Sequence, residues 1–264
     1  MSARLTAVTY RGSQRPAGPV YRSIVAVDLE GSTTRTNPVK GELRRTMYDL
    51  LGRALQATAI TDNHLEELTD RGDGVLILIR PLDDVPKTAL LDRLVPMLAV
   101  LLAENNAEVR HPALRIRLRT VVHAGEVHAD ARGFYGEAID IAIRLMDSPP
   151  VKKALKQATS PLVLVVSEEI YAGIVCHGYV NGESYRPLVR VRMANKQHRG
   201  WVHVPETLAP DPKRTAGTHR RAAGRTPAAV ARVQASHAVD YTQKIGAMSA
   251  EGTRSAAQPA RHAV

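Results

Sequence analysis

The sequence predicts an α+β domain with an antiparallel-centred sheet and helices packed on it. Three observations predict this. Apolar residues switch between two-residue and 3.6-residue spacing in a regular order along the chain. Two of the strand-like runs are joined by a tight Gly-Asp-Gly turn at Gly72, Asp73 and Gly74. At 264 residues and 44% hydrophobic content, the chain can bury a full core.

The elements follow in order. Residues 20–29 form an apolar run that reads as a buried strand. Leu43, Met47, Leu50, Leu51, Ala54, Leu55, Thr58 and Ala59 repeat at the spacing of an amphipathic helix. Residues 64–69 and 75–80 form the hairpin. Leu90, Leu91, Leu94, Val95, Leu98, Leu101 and Leu102 mark a second helix that opens near Asp84, with Pro86 in its first turn and Pro96 bending it. Residues 114–123 alternate arginines with Ile116, Leu118 and Thr120, the period of a half-buried strand. A helix is predicted over 137–146, a strand over 162–166, and a closing pair over 189–193 and 201–204 around a loop at 195–200. This order predicts a ferredoxin-like sheet with helices on one face. The domain so defined spans 20–209, preceded by an arm at 1–19 and followed by a tail at 210–264.

The net charge of +10 is unevenly placed. Residues 210–264 hold nine Lys/Arg against three acids, leaving +4 for the first 209 residues. That tail is poor in large apolar residues and is expected to be disordered, apart from a transient helix over 228–244. Nucleic acid is expected as a partner only through this basic tail, and a merely solubilising role is the alternative. The single cysteine, Cys176, excludes an intramolecular disulfide framework and a multi-cysteine zinc site. No apolar run approaches the roughly 18–20 residues of a membrane helix, and the first residues carry no hydrophobic signal core. A cytoplasmic protein without membrane contact is expected.

Two aspartates stand out chemically. Asp28 ends the first apolar run and is followed by small residues with accessible backbone N–H groups; Asp73 sits in the Gly-flanked turn. Carboxylates at a strand end and a hairpin tip are rigidly presented yet open, which suits a hard cation that also binds phosphate oxygens. Each alone reads as a turn-former before it reads as a ligand.

Downstream, the run Arg119-Thr120-Val121-Val122-His123-Ala124-Gly125-Glu126-Val127 and the run from Gly136 through Asp140 and Arg144 to Leu145 complete a pattern. Over residues 20–204 the chain resembles the class III nucleotidyl cyclase catalytic domain, the adenylate and guanylate cyclase family. The matched motifs are Asp28-Leu29-Glu30-Gly31-Ser32-Thr33, Gly72-Asp73 and the two runs above. The resemblance implies that Asp28 and Asp73 hold two Mg²⁺ or Mn²⁺ ions with the Leu29 carbonyl, and that Ser32 and Thr33 approach a nucleoside triphosphate through backbone groups. It implies that Arg144 stabilises the transition state and that Asp140 stands where the family places a ribose-positioning Asn. Thr69 occupies the place of the Lys that reads adenine, and Gly133 occupies the other base-selecting position. Lys196 is the candidate phosphate ligand, chosen among Arg186, Arg190, Arg192 and itself. The resemblance further implies a homodimer with shared sites.

With both purine selectors absent, pyrimidine triphosphates are the favoured substrates, as in the Pycsar anti-phage branch of the family. The alternative is a degenerate cyclase-fold protein that binds a nucleotide or a partner without chemistry. His123 is expected to be structural, Glu126 similar, and Trp201 and Phe134 to serve packing.

Overall fold

The computed structural model describes residues 18–193 and 195–207. Eight strands form its sheet: β1 (Val20–Leu29), β2 (Leu65–Asp70), β3 (Gly74–Ile79), β4 (Leu118–Asp130), β5 (Gly133–Tyr135), β6 (Leu162–Ser167), β7 (Arg186–Met193) and β8 (Lys196–His203). Their order is β2-β3-β1-β4-β6-β8-β7, with β5 paired on β4. The first four main strands, β2-β3-β1-β4, are all antiparallel neighbours. That is the ferredoxin-like core the sequence predicts.

Helices cover both faces of the sheet, not one. Along β1, Val25, Val27 and Leu29 point into a core shared with α1 (Asn37–Ala57) and α3 (Val95–Glu108). Ile24 and Ala26 point the other way, into a second core with α4 (Glu137–Asp147) and α5 (Pro149–Gln157). The reason is the parallel pairing of β4 with β6. A parallel pair needs a crossover, and the segment carrying α4 and α5 makes it across the second face.

Three local expectations are corrected. The helix predicted around Pro96 is a short α2 (Lys87–Ala89), a π-helical turn over Leu90–Leu94, and then α3. Proline has no N–H for the carbonyl four residues earlier, and the π turn lies where the helix absorbs that break. The strand predicted from residue 114 starts only at Leu118, after a 3₁₀ turn at Pro112–Leu114, and runs on to Asp130. Asn106 explains the late start: its side chain accepts from the Ile116 amide at 2.8 Å and donates to the Ile116 carbonyl at 2.7 Å, in the manner of a strand neighbour. Finally, residues 196–200 belong to β8, which pairs with β7 from Met193 opposite Lys196 onward. Asn195 closes this hairpin at φ 64°, a left-handed conformation that Asn tolerates.

Glu66, 4% exposed, ties the core strands together. It accepts from Arg22 Nη2 of β1 at 3.0 Å and from Arg80 Nε, just past β3, at 2.8 Å. Among the described residues no helix is long and apolar enough to cross a membrane. The tail at 210–264, the helix expected at 228–244 and all of the arm before residue 18 lie outside the described residues.

Candidate active site

The register of β1 against β3 brings the two aspartates together. Asp28 lies opposite Gly74, and the Leu29 amide donates to the Asp73 carbonyl at 2.9 Å. The close approach depends on glycine: a Cβ on Gly74 would sit 2.4 Å from the Val27 carbonyl oxygen. Burial pushes the Asp28 carboxyl up to about 6; Arg119 opposes the rise and the negative charge of Asp73 adds to it. Asp73 is oriented by Ser32, whose buried hydroxyl donates to Asp73 Oδ2. Ser32 thus meets Asp73 through its side chain, a contact that the backbone role implied by the resemblance did not include. Thr33 is exposed and lines, with Leu29, Ser32, Asp73, Lys40 and Arg44, a cavity of about 420 Å³.

Sequence reasoning missed Arg119 as a site residue. It lies directly opposite Asp28 across the β1–β4 ladder, and its guanidinium is ion-paired with Asp28 and 3.5 Å from Asp147. Its Nε is buried without a partner. The alternating arginines before His123 carried the signal, but only the strand register shows which of them meets Asp28. Lys40 and Arg44, one helical turn apart on α1, were also missed; Arg44 Nη1 donates to Asp70 Oδ1 at 3.1 Å.

The donor set fits divalent cations. Two neighbouring carboxylates and a backbone carbonyl at a strand end are hard oxygen ligands. The guanidinium on Asp28 is a stand-in cation already drawn to that place. Among the described residues there is no cluster of three or more His, Cys, Asp or Glu that could hold a metal ion.

A second group of predicted residues gathers around α4. This helix packs tightly on β4, since a Cβ on Gly125 would sit 2.8 Å from the Ala138 Cβ. Its exposed stripe carries Asp140 and Arg144, and no ion pair joins the two. Asp140 lines a cavity of about 550 Å³ with Arg71, Phe134, Gly136 and Met193. Lys196 is exposed at the start of β8, opposite Met193, and so belongs to this side. Thr69 and Gly133 converge on one carboxylate: Thr69 Oγ1 donates to Glu67 Oε1 at 2.8 Å, and a Cβ on Gly133 would lie 3.5 Å from the same oxygen.

Within one chain the two groups stay separate. Among the described residues neither Asp140 nor Arg144 makes a hydrogen bond or ion pair with Asp28 or Asp73. His123 is structural as expected: it is buried, with Nδ1 2.7 Å from Ser167 Oγ and 3.3 Å from Glu169. Trp201 is buried and stacks on Tyr171 at 4.1 Å between ring centroids, and Phe134 packs against the second core.

This architecture is that of the adenylate/guanylate cyclase catalytic domain. The chain is similar to the adenylate/guanylate cyclase/hydrolase from Silicibacter pomeroyi, with a TM-score of 0.53 and 18% identity over 72% of this chain and 100% of that one. It is also similar to the adenylyl cyclase CyaB from P. aeruginosa, with a TM-score of 0.47 and 13% identity over 73% of this chain and 98% of that one. No protein-family model and no curated protein matches the chain.

Proposed function

We propose that two copies of this chain form a nucleotidyl cyclase that converts a nucleoside triphosphate to a 3′,5′-cyclic nucleotide and pyrophosphate. The observation that carries this reading is the convergence of Asp28 and Asp73 at one end of a cyclase-fold sheet, with Ser32 holding Asp73. The separation of that pair from Asp140 and Arg144 supports the dimer, because each site then takes its carboxylates from one protomer and its α4 residues from the partner.

In the reaction the ribose 3′-oxygen bonds to the α-phosphorus as its proton passes to solvent water, and the bond from the α-phosphorus to the bridging oxygen breaks with its electron pair leaving on pyrophosphate. Asp28, Asp73 and the Leu29 carbonyl would hold two Mg²⁺ or Mn²⁺ ions, which would supply charge neutralisation. Arg119, beside Asp28, would be placed to donate to a phosphate oxygen. Ser32 and Thr33 present the turn after β1 to the triphosphate, and Lys196 adds charge from the α4 side. Arg144 donates to the equatorial phosphoryl oxygen as charge builds, an effect of about 10² to 10³ in rate for a single donor. Asp140 accepts a hydrogen bond from a ribose hydroxyl.

The absence of both purine-reading side chains, at Thr69 and Gly133, supports pyrimidine triphosphates as substrates. A cytoplasmic setting in anti-phage signalling rests on the Pycsar resemblance. Purified protein incubated with all four triphosphates and Mn²⁺ or Mg²⁺ is expected to yield a cyclic pyrimidine nucleotide by mass spectrometry. An Asp73→Ala variant with full turnover would remove the metal assignment.

One observation favours a non-catalytic nucleotide binder: Arg119 already neutralises Asp28. That reading predicts thermal stabilisation by triphosphates with no product from any of them.

A further inference from the structure

We propose that Lys40 is a ligand of the terminal phosphates, holding the β- and γ-phosphoryl groups of the substrate and then the pyrophosphate product. The inference deepens the cyclase reading and rests on it for placing the triphosphate at the turn after β1.

Lys40 lies in the first turn of α1 and lines the cavity of about 420 Å³ that Ser32, Thr33 and Asp73 also line. Leu29 and Leu43, both buried, complete its apolar side. An apolar wall limits the water that screens a charge beside it, so an ammonium there attracts an anion more strongly than one in open solvent.

The other cation of this helix is already engaged. Arg44 grips Asp70 with both terminal nitrogens, Nη1 at 3.1 Å, and Asp70 Oδ1 also accepts from the Gly72 amide at 2.7 Å. Those bonds fasten α1 to the hairpin that carries Asp73 and so fix the walls of the cavity. Lys40 is different: it is half-buried, and among the described residues its ammonium has no hydrogen bond or ion pair. Asp73, the one carboxylate of the lining, accepts instead from the Ser32 hydroxyl. A partly buried charge without a counter-ion is stabilised when an anion arrives.

The direction of the substrate decides which anion that is. In the two-protomer site the nucleoside end is held by the α4 residues of the partner, and the reacting phosphorus lies by Asp28 and Asp73. The cavity belongs wholly to the first protomer, so it receives the end remote from the ribose. Phosphate oxygens only accept and an ammonium only donates, which matches Lys40 to the β- and γ-phosphates before bond cleavage and to pyrophosphate after it.

The test is calorimetric binding of inorganic pyrophosphate, in the presence of Mn²⁺, to full-length protein. The wild type is expected to bind it, and Lys40→Ala to bind it roughly tenfold more weakly, the low end for a hydrogen bond to a charged group. Lys40→Arg, which keeps a charge and donors, should recover most of the affinity. Lys87→Ala removes an equal charge beside Tyr21, at the other end of β1 from Asp28, and should leave the affinity in place. Because Ala is the best helix former, Lys40→Ala should melt with the wild type in EDTA. A merely structural Lys40 would lower that melting temperature and leave pyrophosphate affinity unchanged.

An affinity in Lys40→Ala within about twofold of wild type, an equal loss in Lys87→Ala, or a wild type that does not bind pyrophosphate overturns the inference; formation of cyclic nucleotide would still uphold the cyclase reading. A loss confined to Lys40→Ala supports the phosphate ligand even where no triphosphate is cyclised.

Discussion

Replacing Asp28 with Asn should make the protein more stable at neutral pH and at the same time abolish cation binding. Asp28 is only 14% exposed, and its carboxyl titrates near 6 where a free Asp titrates at 3.8. A group whose folded pKa is raised contributes stability that is full below pH 3.8 and is lost as pH climbs through 6. About two units at roughly 1.4 kcal/mol each amounts to about 3 kcal/mol carried as a penalty at pH 7.5. The attraction of Arg119 is already inside that figure, and Arg119 keeps Asp147 as a neighbour at 3.5 Å. Asn has the shape of the protonated acid, so Asp28→Asn in EDTA at pH 7.5 should melt about 6–12 °C above the wild type. The gap should close as the pH is lowered towards 4. Mn²⁺ should raise the wild-type melting temperature, since it binds the folded state, and leave Asp28→Asn unmoved. Melting curves of both proteins across pH, with and without Mn²⁺, read all of this. A variant less stable than the wild type at pH 7.5, or a gap that does not change with pH, would refute the reasoning.

Other perturbations follow from the same contacts. Gly74→Ala places a methyl 2.4 Å from the Val27 oxygen, so β1 and β3 must part; a loss of about 1–3 kcal/mol and of the Mn²⁺-induced melting shift is expected. Glu66→Ala strands the guanidinium groups of Arg22 and Arg80, and denaturant titration should show a loss of about 3 kcal/mol. The hydrogen bond from His123 holds the Glu169 carboxyl down at about 2. A depressed carboxylate stabilises above its unfolded value, 4.5, and loses that contribution as pH falls towards 2, so Glu169→Gln should flatten the fall in melting temperature between pH 4.5 and 2.

Much of the fold was legible because it lies in short-range patterns. The apolar run of β1, the Gly72-Asp73-Gly74 turn and the period of α1 and α4 each announce one element without reference to another. The double-sided cover of β1 was missed by the expectation of helices on one face, although Ile24 to Val27 is apolar at every position, the mark of a strand covered on both faces. The true start of β4 was missed too, because the partner of Ile116 is the Asn106 side chain and not a strand. In the site, Asp28 and Asp73 stood out by position, whereas Arg119 required the register. An arginine in an alternating series becomes a counter-ion only once Asp28 is known to face it.

The central claim is that each site is assembled from two protomers, with the carboxylates on one and the α4 arginine on the other. Mixing inactive Asp73→Ala protein with inactive Arg144→Ala protein tests it most directly. A mixed dimer would contain one site with both defects and one with neither, so random exchange should restore cyclic-nucleotide formation to about a quarter of wild type. Persistent inactivity of a mixture shown to contain mixed dimers would contradict the account.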